Sequence, residues 1–174
     1  MKQEESNIVK RLVLIGILTA LASIIKVFFQ TTTTPGFRVT FYELPIIIAG
    51  GLFGPLMGAI SGLVTDIVYL VTFGYTISLM TLSSILWGII AGLVIYKKHW
   101  SMKRLIMVVL IGSVLEFMIN GTQLFIWQYT GDILQDLRVF LPQQPIRLII
   151  LVLKWPIQII LIKIVYERVI QTVY

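Results

Sequence analysis

Polar side chains recur at helical spacing within two apolar segments in the C-terminal half of the chain. In the first segment, four residues at i, i+4, i+7 and i+11 share one helix face: Glu116, Asn120, Gln123 and Trp127. In the second segment, one face carries three residues at i, i+7 and i+11: Arg147, Lys154 and Gln158. Ionisable groups inside a membrane cost about 3 kcal/mol each on insertion scales, so we expect both faces to line a cavity or to meet a partner.

The residue types on these two faces suit the binding of a flat, polar molecule. Carboxylates and amides form hydrogen bonds to the edge of such a ligand, and aromatic rings stack on its face. The alternative is a buried ion pair, in which Glu116 or Asp66 neutralises Lys154. Because an ion pair alone leaves the amides and aromatic rings of these faces without a role, we favour ligand binding.

Other polar residues, in the remaining helices, are expected at about the same depth in the membrane as the two polar faces. Asp66 and Tyr69 lie near the outer end of the third apolar helix, and Glu43 begins the second one. Arg38 lies in the loop before Glu43, and Trp87 in the fourth helix is a further candidate. Together with the two polar faces, these residues predict a binding cavity that opens to the outside of the membrane.

The composition indicates an integral membrane protein, because 57% of the residues are hydrophobic, the mean hydropathy is +0.94 and only 13% are charged. At about 20 residues per crossing, the chain forms one compact bundle, and we expect a single domain over residues 1–174. The net charge of +6 does not indicate nucleic-acid binding, because the basic residues cluster at the ends of apolar runs. With no cysteine and a single loop histidine, His99, we expect neither a metal site nor a cofactor.

The apolar segments predict an all-α protein with six transmembrane helices. By the positive-inside rule, the basic residues before the first helix and those at 97–104 share the cytoplasmic side, so an even number of crossings separates them. The block from 44 to 96 therefore holds three helices, with breaks at Gly54-Pro55 and around 72–76, and both termini are cytoplasmic. The ranges expected for the first, second, fifth and sixth helices are 8–28, 44–53, about 105–129 and about 146–169.

Small residues recur at four-residue spacing in two places, and such spacing lets helix backbones approach closely in a membrane. The first series, which predicts close packing of helices two and three, is Gly50, Gly54, Gly58 and Gly62. The second consists of Gly16 and Ala20 on helix one. That pair either packs inside the bundle or presents a flat surface to another membrane subunit, and the spacing alone favours internal packing.

Two longer segments resemble the substrate-binding S subunits of energy-coupling-factor (ECF) vitamin transporters, most of all the folate-specific members. The segments are FRVTFYELPIIIAGGLFGPLMGAISGLVTD at 37–66 and GYTISLMTLSSILWGIIAGLVIYKK at 74–98. The first contains the pattern L-P-x-x-x-A-G-x-L-F-G-P-x-x-G at 44–58. The similarity spans nearly the whole chain and includes the basic N-terminus and the small pair on helix one.

This resemblance implies a multi-pass receptor in the bacterial cell membrane that binds folate from the outside with high affinity. It also implies association with the membrane coupling protein EcfT and two cytoplasmic ATPases that drive uptake, so the chain itself is not an enzyme. The motif with which the family docks on the coupling protein maps to Gly16 and Ala20. The chain has no G-x-x-x-x-G-K-[ST] phosphate loop, in agreement with ATP hydrolysis by partner subunits.

Folate chemistry suits the polar residues of the chain. The pterin presents a guanidine-like donor edge, and three acids are candidates to accept from it: Glu43, Asp66 and Glu116. The glutamate tail carries two carboxylates, for which the candidate partners are Arg38, Arg147 and Lys154. We expect residues 30–42 and 131–143 to form extracellular lids, with Phe37 or Phe41 closing over the pterin.

Three other functions remain compatible with the sequence. The chain could be an S subunit for riboflavin, pantothenate or thiamine. It could be an autonomous small carrier that uses Glu116 or Asp66 as a proton relay, although no inverted repeat of interrupted helices supports this. It could also be a scaffold whose polar faces bind neighbouring helices, in which case no small molecule would bind saturably.

Overall fold

In the described part of the chain, six apolar helices are joined by short connections that include a β-hairpin and one amphipathic helix. The computed structural model describes the backbone of residues 2–29, 31–34 and 37–170 and the side chains of residues 9–29 and 40–168. The helices are α1 (Lys2–Phe28), α2 (Glu43–Phe53), α3 (Pro55–Phe73), α4 (Leu79–Ile95), α5 (Met102–Gln128), α6 (Ile133–Phe140) and α7 (Gln144–Val165). The antiparallel hairpin consists of β1 (Thr31–Thr34) and β2 (Phe37–Val39).

The prediction of six membrane helices is confirmed. Within the described residues, four segments are long and apolar enough to cross a membrane: Val9–Phe28, Pro55–Phe73, Met102–Gln128 and Ile133–Arg168. The two remaining apolar helices, α2 and α4, are shorter. The hairpin and α6 were not predicted, and they lie within the two segments expected to form lids. The cytoplasmic location of the termini stays a prediction.

Gly54 and Pro55 separate α2 from α3, as the sequence indicates. Gly54 has a φ of 96°, a conformation that favours glycine, and its N–H donates to the carbonyl oxygen of Gly50. Pro55 takes the first position of α3, where no helical hydrogen bond requires its missing N–H. The chain can therefore reverse direction between two helices without any intervening loop.

Helix α2 is short and enclosed by the rest of the protein. Its 11 residues extend about 16 Å at about 1.5 Å per residue, which is roughly half of a ~30 Å hydrocarbon core. Eight of these residues are buried: Glu43, Pro45, Ile46, Ile47, Ile48, Ala49, Gly50 and Gly51. A helix that is apolar on nearly all sides is stable only where protein or lipid surrounds it, and here protein does so.

Close backbone contacts hold α2, α3 and α4 together. A methyl group at Gly88 of α4 would overlap the backbone of Gly58 in α3, and one at Gly50 of α2 would meet Gly88 in turn. A methyl group at Gly62 would overlap the backbone of Ser84. The predicted small-residue packing of the second and third helices is thus present, and α4 contributes the third member of the contact.

Candidate ligand-binding site

A cavity of about 360 Å³ lies at the end of the bundle where α1, α3 and α5 end and where α2, α4 and α7 begin. This is the end opposite the basic connector between α4 and α5. Four charged residues from four different helices lie on its wall: Lys26, Asp66, Glu116 and Arg147. A cavity of this size falls in the range of about 300–1,000 Å³ that is typical of small-molecule sites.

Lys26 and Asp66 form a buried ion pair on this wall. The Lys26 Nζ atom donates to Asp66 Oδ1 and, over 2.8 Å, to Ser84 Oγ. The same Nζ atom lies 4.2 Å from the centroid of the Tyr42 ring, which is a cation–π distance. Sequence reasoning included Asp66 but missed Lys26. The available signal was a single cation near the C-terminal end of α1, after the largely apolar run at 12–25, a position that requires a partner.

Glu116 is positioned by Trp87. The indole Nε1 of Trp87 donates to Glu116 Oε2 over 3.2 Å. The Trp87 ring packs directly against Gly112, so a methyl group at that position would overlap the ring. Trp87 is almost completely buried and does not line the cavity, whereas Glu116 does. Trp87 is therefore placed to orient Glu116 from behind the wall.

The polar face of α5 divides between two roles. Glu116, Asn120 and Trp127 line the cavity, as the helical spacing predicts. Gln123 does not line it, since its Oε1 atom accepts from the backbone N–H of Leu79 over 2.9 Å. Leu79 opens α4, where unpaired N–H groups need acceptors, so Gln123 ties α5 to the start of α4.

Arg147 brings α7 to the cavity. Its Nη1 atom donates to Gln144 Oε1 over 3.0 Å, and its guanidinium carbon lies 5.0 Å from the centroid of the Phe117 ring. The side chain is largely buried yet lies on the cavity wall. The chain thus holds a preorganised guanidinium with donors available in a partly desolvated setting, which suits a carboxylate.

Lys154 and Glu43 form a second buried ion pair, next to the cavity rather than in it. Lys154 Nζ lies 2.6 Å from Glu43 Oε1, and the two side chains are 12% and 0% exposed. The acid that neutralises Lys154 is therefore Glu43, not Glu116 or Asp66. Phe41 belongs to the same cluster, with its ring centroid 5.7 Å from Lys154 Nζ, and none of the three lines the cavity. Gln158, one turn further along α7, is fully buried.

Aromatic residues line the cavity on the α3 side. Tyr69, a predicted site residue, lies on the wall, and its ring centroid is 4.9 Å from that of Phe73 and 5.9 Å from that of Tyr75. Tyr75 also lines the cavity and was not predicted. Phe37 and Arg38 belong to β2, but their side chains lie outside the described residues.

The two predicted lids differ in their relation to the cavity. From the first, residues 30–42, Thr40 and Tyr42 line the wall. The second, residues 131–143, is described throughout, and none of its residues lies on the wall. Its helix α6 instead packs on α5 through the Phe140 and Phe125 rings, whose centroids are 5.4 Å apart.

Gly16 and Ala20 lie on an open face of α1. Both are exposed, and a methyl group at Gly16 would meet nothing within 4 Å. The neighbouring exposed side chains of this face are Leu12, Val13, Ile17, Leu21 and Ile24. The expectation that the small pair packs inside the bundle is therefore wrong, because the inward face of α1 is instead formed by Thr19, Ala22, Ser23 and Lys26.

Comparison with curated proteins identifies one folate transporter as similar. The protein FolT of Clostridium novyi (strain NT) is 32% identical to this chain over 101 residues, which are 57% of this chain and 57% of that protein. The matched part of the chain thus spans little more than half the length of this curated relative.

Solved structures share the fold over nearly the whole chain. A crystal structure of FolT bound with folic acid aligns with a TM-score of 0.75 and 28% identity, covering 91% of this chain and 93% of the other. A structure of the S component of a bacterial ECF transporter aligns with a TM-score of 0.64 and 20% identity, covering 94% and 97%, a likeness that concerns the fold alone. The family model described as "ECF transporter, substrate-specific component" matches residues 10–170, and this chain therefore belongs to that family of membrane-embedded transport subunits.

Proposed function

We propose that this chain binds folate from the outside of the cell, as the single-domain S component of an ECF transporter. The observation that carries the proposal is the presence in one cavity of two carboxylates, two cations and aromatic rings, contributed by four helices (α1, α3, α5 and α7), the segment before α2 and the connection after α3. Folate needs all three kinds of group, because its pterin donates hydrogen bonds and stacks while its tail carries two carboxylates. The similarity to FolT supports the same ligand.

The distribution of charge indicates how folate would lie in the cavity. Asp66 and Glu116 are the acids available to the donor edge of the pterin, and Tyr69 and Tyr75 provide flat surfaces beside them. Arg147 is the cation that we assign to the glutamate tail. Glu43 and Lys154 do not line the cavity and neutralise each other, and we therefore assign them to the stability of the receptor rather than to the ligand.

A titration with folic acid, followed by the tryptophan fluorescence of the protein, tests both the identity of the ligand and the place where it binds. Of the four tryptophans, Trp127 lines the cavity, whereas Trp100 is stacked on Tyr166 with ring centroids 4.7 Å apart at the other end of the bundle. We expect saturable quenching by folic acid and none by riboflavin or thiamine. Trp127→Phe should remove more than half of the quenching amplitude, and Trp100→Phe should leave it nearly unchanged.

Two outcomes of this titration would contradict the proposal. Quenching by riboflavin or thiamine but not by folic acid would assign the receptor to another vitamin. Saturable folic acid quenching whose amplitude depends on Trp100 rather than Trp127 would place the ligand at the wrong end of the bundle.

We further propose that the open face of α1 docks on the membrane coupling protein EcfT, whose two associated ATPases drive uptake. The support is that Gly16 and Ala20 are exposed and leave a shallow, apolar surface against which a partner helix can pack closely. Bulky side chains there would hold a partner away without touching the cavity, which lies beyond Lys26 on the other face of α1.

The double variant Gly16→Leu with Ala20→Leu separates docking from ligand binding. We expect folate affinity within twofold of the original protein and a more than tenfold loss of ATP-dependent uptake in proteoliposomes that contain the partner subunits. Val114→Leu, on an exposed face of α5, is the matched control and should retain uptake. Normal uptake by the double variant would show that this face of α1 is not the docking surface.

A further inference from the structure

We propose that Lys26 and Asp66 act together as the reader of the pterin edge, with Asp66 accepting two hydrogen bonds and Lys26 donating one. This inference rests on the proposed function, because it takes folate as the ligand. It names Lys26 as a specificity-determining residue and gives the buried ion pair on the cavity wall a role beyond charge neutralisation.

The pair is built as a fixed unit from separate helices. Lys26 comes from α1, Asp66 from α3 and Ser84 from α4, and Lys26 Nζ donates to both partners. Ser84 Oγ is also 3.2 Å from Tyr42 Oη, so the ammonium is held from several sides. Both Lys26 and Asp66 are less than a tenth exposed and line the cavity. A ligand therefore meets a rigid arrangement of charges rather than two mobile side chains.

The order of donors and acceptors on this unit matches one edge of a pterin. That edge presents a 2-amino donor, an N3–H donor and a 4-oxo acceptor in sequence. In the described part of the chain, Asp66 accepts from both Lys26 and Ser84 at Oδ1, which places the ammonium beside one end of the carboxylate. A pterin that donates to the two oxygens of Asp66 would then bring its 4-oxo group next to Lys26 Nζ.

The other charged groups of the described residues lack this combination. Glu43 and Lys154 are paired but do not line the cavity. Glu116 lines it, but the donor that contacts it is the indole of Trp87, which is committed to Oε2. Among the ion pairs of the described part, Lys26 with Asp66 is thus the one that faces the cavity.

The same order excludes related heterocycles. The corresponding edge of riboflavin presents acceptor, donor, acceptor, so a carbonyl oxygen would face the Asp66 carboxylate. Aminopterin, the 4-amino analogue of folic acid, keeps the tail and the ring system but reverses two groups on this edge. Its N3 carries no hydrogen and would face the Asp66 carboxylate as an acceptor, and its 4-amino donor would face the Lys26 ammonium. Sites built to hydrogen-bond one group reject analogues that leave their buried polar atoms unpaired.

The decisive experiment compares the affinities of folic acid and aminopterin for the purified protein and for Lys26→Gln. We expect the original protein to prefer folic acid at least tenfold, and we expect Lys26→Gln to reduce this preference at least threefold, because an amide can accept from the 4-amino group while the mismatch of N3 with Asp66 remains. Lys103→Gln, an exposed lysine at the start of α5, is the matched control and should keep the preference. If Lys26→Gln does not fold, Lys26→Gln with Asp66→Asn removes both charges together. This double variant should show a loss of preference at least as large, because an amide at position 66 can also donate to N3 of aminopterin.

A third ligand, 6-hydroxymethylpterin, distinguishes reading of the ring from binding of the tail, since it has the same edge and no carboxylate. Lys26→Gln should weaken this ligand by about the same factor as folic acid. An unchanged affinity for 6-hydroxymethylpterin together with weakened folic acid would place Lys26 at the tail and overturn the inference. An unchanged folic acid preference in the variants would overturn it too, whereas failure of the original protein to bind folic acid would instead overturn the proposed function.

Discussion

Replacement of Lys154 by methionine is expected to destabilise the folded protein by about 3–5 kcal/mol, because Glu43 is then left as an unpaired buried charge. Glu43 is completely buried at the start of α2, and its Oε1 atom is 2.6 Å from Lys154 Nζ. In the described residues its Oε2 atom has no hydrogen-bond partner, so little else compensates its charge. The effect is measured as a lower midpoint temperature of thermal unfolding of the detergent-solubilised protein, monitored by size-exclusion chromatography.

Lys163, which also belongs to α7, provides a matched control. Lys163 Nζ is 3.6 Å from Glu167 Oε1, but these side chains are 43% and 52% exposed, and such pairs contribute at most about 0.5 kcal/mol. Lys163→Met should therefore leave the midpoint temperature of thermal unfolding almost unchanged. Adding Glu43→Gln to Lys154→Met removes the unpaired charge and should recover most of the stability. Equal shifts for Lys154→Met and Lys163→Met would show that the buried pair has no special importance.

Gly88→Leu is expected to abolish folding rather than to weaken ligand binding. A side chain at Gly88 would overlap the backbone of Gly58, and backbone atoms of two packed helices cannot rotate aside as a side chain can. Overpacking usually costs about 1–3 kcal/mol, and separation of α3 from α4 should exceed this range. We expect the variant to be absent from the monodisperse fraction after solubilisation.

The exposed Gly16 offers the same substitution without the clash. A methyl group there meets nothing within 4 Å, so Gly16→Leu should give a normal yield of folded protein. Recovery of Gly88→Leu at the yield of Gly16→Leu, with folic acid binding retained, would show that the glycine contact between α3 and α4 is not required.

The number of helices could be predicted because long apolar runs, charged ends and the Gly54-Pro55 break each have a direct physical meaning. The hairpin and α6 could not be predicted from hydropathy, since both are short and lie in polar segments. The four consecutive threonines of β1 are β-branched and do favour a strand, a signal that an analysis of membrane spans passes over.

Helical spacing predicted part of the candidate site. It places Glu116, Asn120 and Trp127 on one face, and these residues do line the cavity. Spacing does not reveal what lies opposite a face. The pairing of Lys154 with Glu43 and of Asp66 with Lys26 depends on the rotation and offset of neighbouring helices. The spacing of residues within a single helix does not encode these.

The length of α2 has a consequence for the energetics of transport. Tyr42, just before this helix, lies on the cavity wall, and α2 continues from there for about 16 Å, so it covers only about half of a ~30 Å hydrocarbon core. A ligand that contacts Tyr42 would therefore lie about halfway across the hydrocarbon core and would already have lost much of its hydration shell. The larger part of the dehydration cost would then fall on binding, where favourable contacts offset it. Only about half of the core would remain to be crossed on release.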